Sequence, residues 1–132
     1  MTRFFATQQF VREFFEALIE EFKRFFGMPL PLEILEDQQD RLIVLVNRRR
    51  IVADRATKSI KAGDRLLAPF KAIISIEIRL SQQDDDPGTW VVSLCLLRGT
   101  KVEVWRTRDD LDASLLAAKL STITEKEVVS IS

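Results

Sequence analysis

The sequence predicts an α+β fold, with an N-terminal amphipathic helix, an antiparallel meander of about six strands and a C-terminal helix. Three observations carry that expectation. Apolar residues recur at helical spacing through the first 27 positions, short apolar runs divided by turn signals fill the middle, and helical spacing returns after Arg108. The middle connections are too short for parallel pairing, which needs a crossover of a dozen or more residues, so the sheet is expected to be antiparallel.

The first element is "FVREFFEALIEEFKRFFG", residues 10–27, and eight of the nine phenylalanines lie between Phe4 and Phe26. At about 100° per residue, Phe10, Val11, Phe14, Phe15, Leu18, Ile19, Phe22, Phe25 and Phe26 cover roughly half of the circumference. An ordinary surface helix needs an apolar stripe only a little over ~100° wide. Arg12, Glu13, Glu16, Glu20, Lys23 and Arg24 take the other half, with Glu20 and Arg24 as a favourable i,i+4 pair. Gly27 stands where a C-cap belongs, and Pro29 and Pro31 stop the helix, because proline cannot continue one and disfavours helix just before it. The chain thus divides into a helix over 1–27, a linker over 28–32 and a β domain over 33–132 with a closing helix at 109–123.

Within the β domain, "RLIVLVN" (41–47) is short, β-branched and continuous, and reads as a central strand buried on both faces. "RIVADRATKSI" (50–60) alternates less cleanly, and "DRLLAPF" (64–70) ends near a proline, which suggests an edge or a bend. In "IISIEIRL" (73–80), Ile74, Ile76, Ile78 and Leu80 are expected on one face, and Ser75, Glu77 and Arg79 on the other. "TWVVSLCLL" and "KVEVWRT" form a hairpin across "RGT". In the closing helix, Asp109 or Asp110 can cap the start, with Leu111, Leu115, Leu116, Leu120 and Ile123 as buried positions. "EVVSIS" is read as a last short strand or a frayed tail.

The runs "KAGDRLLAPFKAIISIEIRL", "GTWVVSLCLLRGTKVEVWRT" and "LDASLLAAKLSTIT" resemble the bacterial pleckstrin-homology-like domain, over roughly residues 40–125. The resemblance implies a small β-barrel or bent sandwich used for binding, plugged at one end by the closing helix, with no catalytic residues. Phosphoinositide-binding members carry a basic Lys…Lys/Arg-x-Arg pattern between their first two strands. Here "NRRRIVADR" offers Arg48, Arg49 and Arg50 without the leading lysine, so that recognition does not carry over.

Twenty basic and twenty acidic side chains cancel, and without a basic excess the counterion-release drive for nucleic-acid binding is missing. Nucleic acid is not an expected partner. The single Cys95 excludes an intrachain disulfide, and its strand-like setting predicts a buried, inert thiol. The first apolar block is interrupted by Gln8, Gln9, Arg12 and Glu13, unlike a signal peptide. No uncharged run approaches the ~20 residues of a membrane span. A cytoplasmic protein is expected. The chain has no histidine or tyrosine and no glycine-rich phosphate loop, so nucleophilic triads, zinc sites and histidine acid–base chemistry are not expected. Neither a cofactor nor a metal is expected. Asp84, Asp85 and Asp86 read as a solvated hairpin tip before a hard-cation site. Trp90 and Trp105 read as cross-strand packing before an exposed aromatic platform.

These readings predict a non-catalytic interaction module. Self-association as a homodimer, or docking of a protein partner, is expected through Phe10, Phe14, Phe15, Leu18, Phe22, Phe25 and Phe26. The alternative is a peripheral membrane or lipid-binding domain in which Arg48, Arg49 and Arg50 meet anionic headgroups, although four glutamates on the helix's polar face weigh against it.

Overall fold

The computed structural model describes residues 31–81 and 88–131. Two sheets share one core. The first has five antiparallel strands in chain order: β1 (Glu33–Asp37), β2 (Arg41–Val46), β3 (Arg49–Asp54), β4 (Ser59–Ala62) and β5 (Arg65–Pro69). The second contains β6 (Ile73–Leu80), β7 (Trp90–Leu96), β8 (Lys101–Thr107) and β9 (Val128–Ile131), in the order β8-β7-β6-β9. A single helix, α1 (Asp110–Thr124), separates β8 from β9.

The expected fold class is therefore corrected. The described chain is mostly β, with 55% of its residues in strands, nine strands where about six were expected and one helix. The helix expected over 1–27, and with it Phe10, Phe14, Phe15, Leu18, Phe22, Phe25 and Phe26, lies outside the described residues. The extra strands of the first sheet are β1, which precedes the first run read as a strand, and β4, which a turn splits from β3. Asn47 and Arg48 both have positive φ (49° and 66°), the geometry of a tight I′ hairpin that follows the right-handed twist of its strands. The turn from β3 to β4 contains no glycine or proline, so "RIVADRATKSI" reads as one run. Its turn chemistry resides in Asp54, whose Oδ1 accepts a hydrogen bond from Ala56 N at 2.8 Å, with Lys58 at φ 52°.

The all-antiparallel expectation also fails at β9, which pairs with β6 in parallel from Ile76↔Val128 to Arg79↔Ile131. The intervening hairpin and α1 supply the long crossover that parallel pairing requires. Within β6, the register shifts between Ile73 and Ser75, leaving Ile74 as an extra bulged residue. Ile74 is thus exposed, whereas Ile76 and Ile78 enter the core as the alternation predicts.

Leu42, Val44 and Val46 of β2 and Ile51 and Ala53 of β3 meet Ile76, Val92, Leu94 and Trp105 of the second sheet in one apolar cluster. The helix contacts β2 and β3 of the first sheet and β6, β7, β8 and β9 of the second. Its buried face is Ala113, Leu116, Ala117, Leu120, Ile123 and Thr124. Leu111 and Leu115, expected in the core, are 76% and 40% exposed. The reason is close approach: Ala113 and Ala117 let the helix axis settle onto the strands, and that orientation turns Leu111 to the far side. Asp109 caps the first turn, Oδ1 accepting from Leu111 N and Asp112 N at 3.0 and 3.1 Å. Glu125 ends the helix at φ 60°. None of the helices in the described residues is long and apolar enough to cross a membrane.

Trp90 and Trp105 both face the cluster, and they are diagonal rather than opposite, since Trp105 pairs with Val92. Neither forms an exposed platform. Trp105 is 4% exposed, and its Nε1 is a buried donor without a partner among the described residues. An unsatisfied buried donor costs about 1–3 kcal/mol, which offsets much of the ring's apolar gain. Trp105→Phe should thus cost under about 1 kcal/mol in urea unfolding, whereas Trp105→Ala, leaving a cavity, should cost about 3–5 kcal/mol.

Candidate functional site

Among the described residues four strands are edges of the two sheets: β1 and β5 in the first, β8 and β9 in the second. An edge exposes a row of unpaired N–H and C=O groups, and stable proteins blunt it with bulges, charges or proline. Three of these edges are blunted. Leu35 bulges from β1, Leu67 from β5 and Val104 from β8, as shown by register shifts on each. Each also carries charge: Glu33, Glu36 and Asp37 on β1, Arg65 with Pro69 on β5, and Lys101, Glu103 and Arg106 on β8.

The remaining edge, β9, has neither device. Its register against β6 is continuous, it contains no charge and no proline, and all four residues are exposed. Val128, Val129 and Ile131 are 40, 37 and 41% exposed. Ile76 N donates to Glu127 O at 2.9 Å. With Ile76 opposite Val128, parallel alternation points the N–H and C=O of Val128 and Ser130 away from β6.

The three arginines singled out from the sequence do not form one patch. Only Arg48 sits in the turn, while Arg49 and Arg50 open β3 and project to opposite faces. Arg49 is committed to the fold: its Nη2 donates to Val104 O at 2.8 Å, linking the first sheet to β8. Asp84, Asp85 and Asp86 lie outside the described residues. Among the described residues no group of three or more histidine, cysteine, aspartate or glutamate side chains converges as a metal site.

A second arrangement, unmarked in the sequence, is a cleft of about 320 Å³ at the opposite end of β3 from Arg49. Arg55 and Lys58 come from the β3–β4 turn, Lys71 from the turn after β5, and Lys126 from the segment after α1. Glu125 is the sole carboxylate, and Phe70, Ile123 and Thr124 supply the remaining lining. Arg55 Nε and Nη2 donate to Ile123 O and Thr122 O, both at 3.0 Å, capping the carbonyl end of the helix. No local pattern could have revealed this cluster, because its four cations come from three separate segments.

The second sheet carries a buried carboxylate on the face opposite the helix. Glu77 is 3% exposed, and its Oε2 accepts from Lys101 Nζ at 2.8 Å and from Cys95 Sγ at 3.5 Å. The thiol is half-buried, less enclosed than its strand-interior setting suggests. Burial pushes the Glu77 carboxyl up. The Lys101 and Cys95 hydrogen bonds, with the charges of Lys101 and Arg79, outweigh it and hold the group below its ordinary value.

No protein-family model, curated protein or solved structure matches this chain. The arrangement of its own residues thus carries the functional argument.

Because the folded Glu77 titrates below the unfolded carboxyl, its stabilisation is present above the unfolded pKa of ~4.3 and is lost as pH falls through the folded value. Chemical denaturation across pH 7 to 3 should show wild type losing stability at the acid end and Glu77→Gln losing less. Lys101→Met, which leaves the carboxylate unpaired, should cost roughly 1–3 kcal/mol at neutral pH, discounted for the half-exposed ammonium.

Proposed function

We propose that this chain is a non-catalytic interaction module that self-associates through the open edge of β9. The observation that carries the reading is the contrast among the four edges: three are bulged and charged, and the fourth is unbulged, uncharged and exposed. Such an edge is a template for strand addition, in which main-chain hydrogen bonds supply affinity and alternate side chains supply selectivity. A second copy fits it well. Antiparallel pairing of β9 with β9 about a two-fold axis is self-complementary, since no charge on residues 128–131 meets its own like. The pair extends each four-stranded sheet into one continuous sheet and covers Val129 and Ile131.

A four-residue strand buries less than the ~1,200 Å² of a standard stable interface. The phenylalanine stripe over residues 10–26 is, on the sequence reading, a further apolar surface for association in its own right. The resemblance to pleckstrin-homology-like domains supports a binding role, and two sheets around one core with a helix against both is compatible with such a module.

Light scattering over a concentration series should show the full chain approaching twice the monomer mass. Ser130→Pro removes an outward N–H while leaving the β6 pairing intact, and Val129→Lys places a charge on the edge. Both variants should stay folded by circular dichroism and remain monomeric. A wild-type chain that is strictly monomeric, or variants that dimerise as well as wild type, would sink the proposal.

A further inference from the structure

We infer that the cleft between the β3–β4 turn, the turn after β5 and the segment after α1 binds a phosphomonoester dianion. Four cationic side chains against one carboxylate give it a formal excess of three positive charges, in a chain whose net charge is zero. The ammonium groups of Lys58, Lys71 and Lys126 make no hydrogen bond or ion pair among the described residues. They are compact point charges, suited to phosphate, whereas Arg55 is partly used.

That partial use is what makes an anion tolerable here. The carbonyl end of a helix carries partial negative charge and would repel one. Arg55 takes up the Thr122 and Ile123 carbonyls with two of its five N–H donors and so covers that end. The cleft is also preorganised. Phe70 N donates to Lys58 O at 2.8 Å, joining two of its walls, and Ser121 Oγ donates to Lys126 O, anchoring the third. A backbone held in place before binding leaves only the lysine stems to be ordered when the ligand arrives. The volume of about 320 Å³ lies at the small end of ligand pockets, ~300–1,000 Å³, which suits a phosphate ester rather than a large cofactor. This site is distinct from the Arg48–Arg50 turn, lying roughly 20 Å away along the six residues of β3.

The ligand chemistry is shared by a free phosphate ester and by a lipid whose headgroup is a phosphomonoester, and two arms distinguish them. In the first, the full chain is titrated with glycerol 1-phosphate while backbone amide resonances are followed. Shifts should centre on Lys58, Lys71 and Lys126, weaken with added salt, and exceed those from acetate at equal ionic strength. In the second, the chain is floated with phosphatidylcholine vesicles with and without phosphatidic acid. Lys58→Glu/Lys71→Glu should weaken binding at least ~10-fold in whichever arm is positive, and the milder Lys58→Gln/Lys126→Gln should weaken it in the same arm. Arg50→Glu, at the other end of β3, should leave it unchanged. Binding in solution alone assigns a free ester, and flotation alone assigns the lipid. Shifts no larger than acetate's together with no flotation, or lysine variants that bind like wild type, overturn the inference.

Discussion

A five-stranded and a four-stranded sheet with apolar inner faces have to share one interior, and α1 is the element that touches both. Its small residues set the geometry. Ala113 and Ala117 are fully buried beside Leu116 and Leu120, so the helix lies close enough to contact β2 and β3 as well as β6, β7 and β8. Asp109 fixes where the helix begins, and Arg55 of the β3–β4 turn grips where it ends. The rotation this imposes accounts for Leu111 facing outward and for Ile123 and Thr124 lining the basic cleft. Core packing and candidate ligand site are thus two consequences of one docking geometry.

The two proposed surfaces differ in how they arise. The β9 edge is defined by what its neighbours possess and it lacks: bulges, charge and proline. The cleft is defined by accumulation, with lysines that no acidic side chain among the described residues neutralises. Electrostatics at the cleft is local, since the whole chain is neutral. Neither surface uses Arg49, which a sequence reading places in a ligand-facing trio and which bonds Val104 O across the sheets. A buried or bridging arginine looks the same in sequence as a solvated one.

Legibility in the sequence followed the range of the interaction. The core of β6 was readable because period-two alternation is local, β2, β7 and β8 because short apolar runs bounded by turn signals are local too, and so was the Asp109 cap. The β3–β4 turn was not, because Asp54 and a lysine with positive φ do the work that glycine usually signals. Bulges were equally hidden: Ile74 continues an alternating pattern on paper, and only the pairing with β7 shows that it is the extra residue. The helix face was misread because leucines outweigh alanines in hydropathy, while close packing favours the smaller side chain. The cleft had no local signal, since Lys58, Lys71 and Lys126 meet only once three distant segments are folded together.

The parallel pairing of β6 with β9 has a kinetic meaning as well. Every other strand pair joins neighbours in sequence, whereas β9 must return to β6 across β7, β8 and α1. Contacts with such wide sequence separation are slow to form, because the loop has to close before the pairing rewards it. Until β9 docks, the side of β6 bearing Ile76 and Ile78 is itself an open edge. The growing chain therefore passes through a stage in which an isoleucine-rich strand is unprotected, and its solubility at that stage depends on how quickly α1 folds and brings the last strand home.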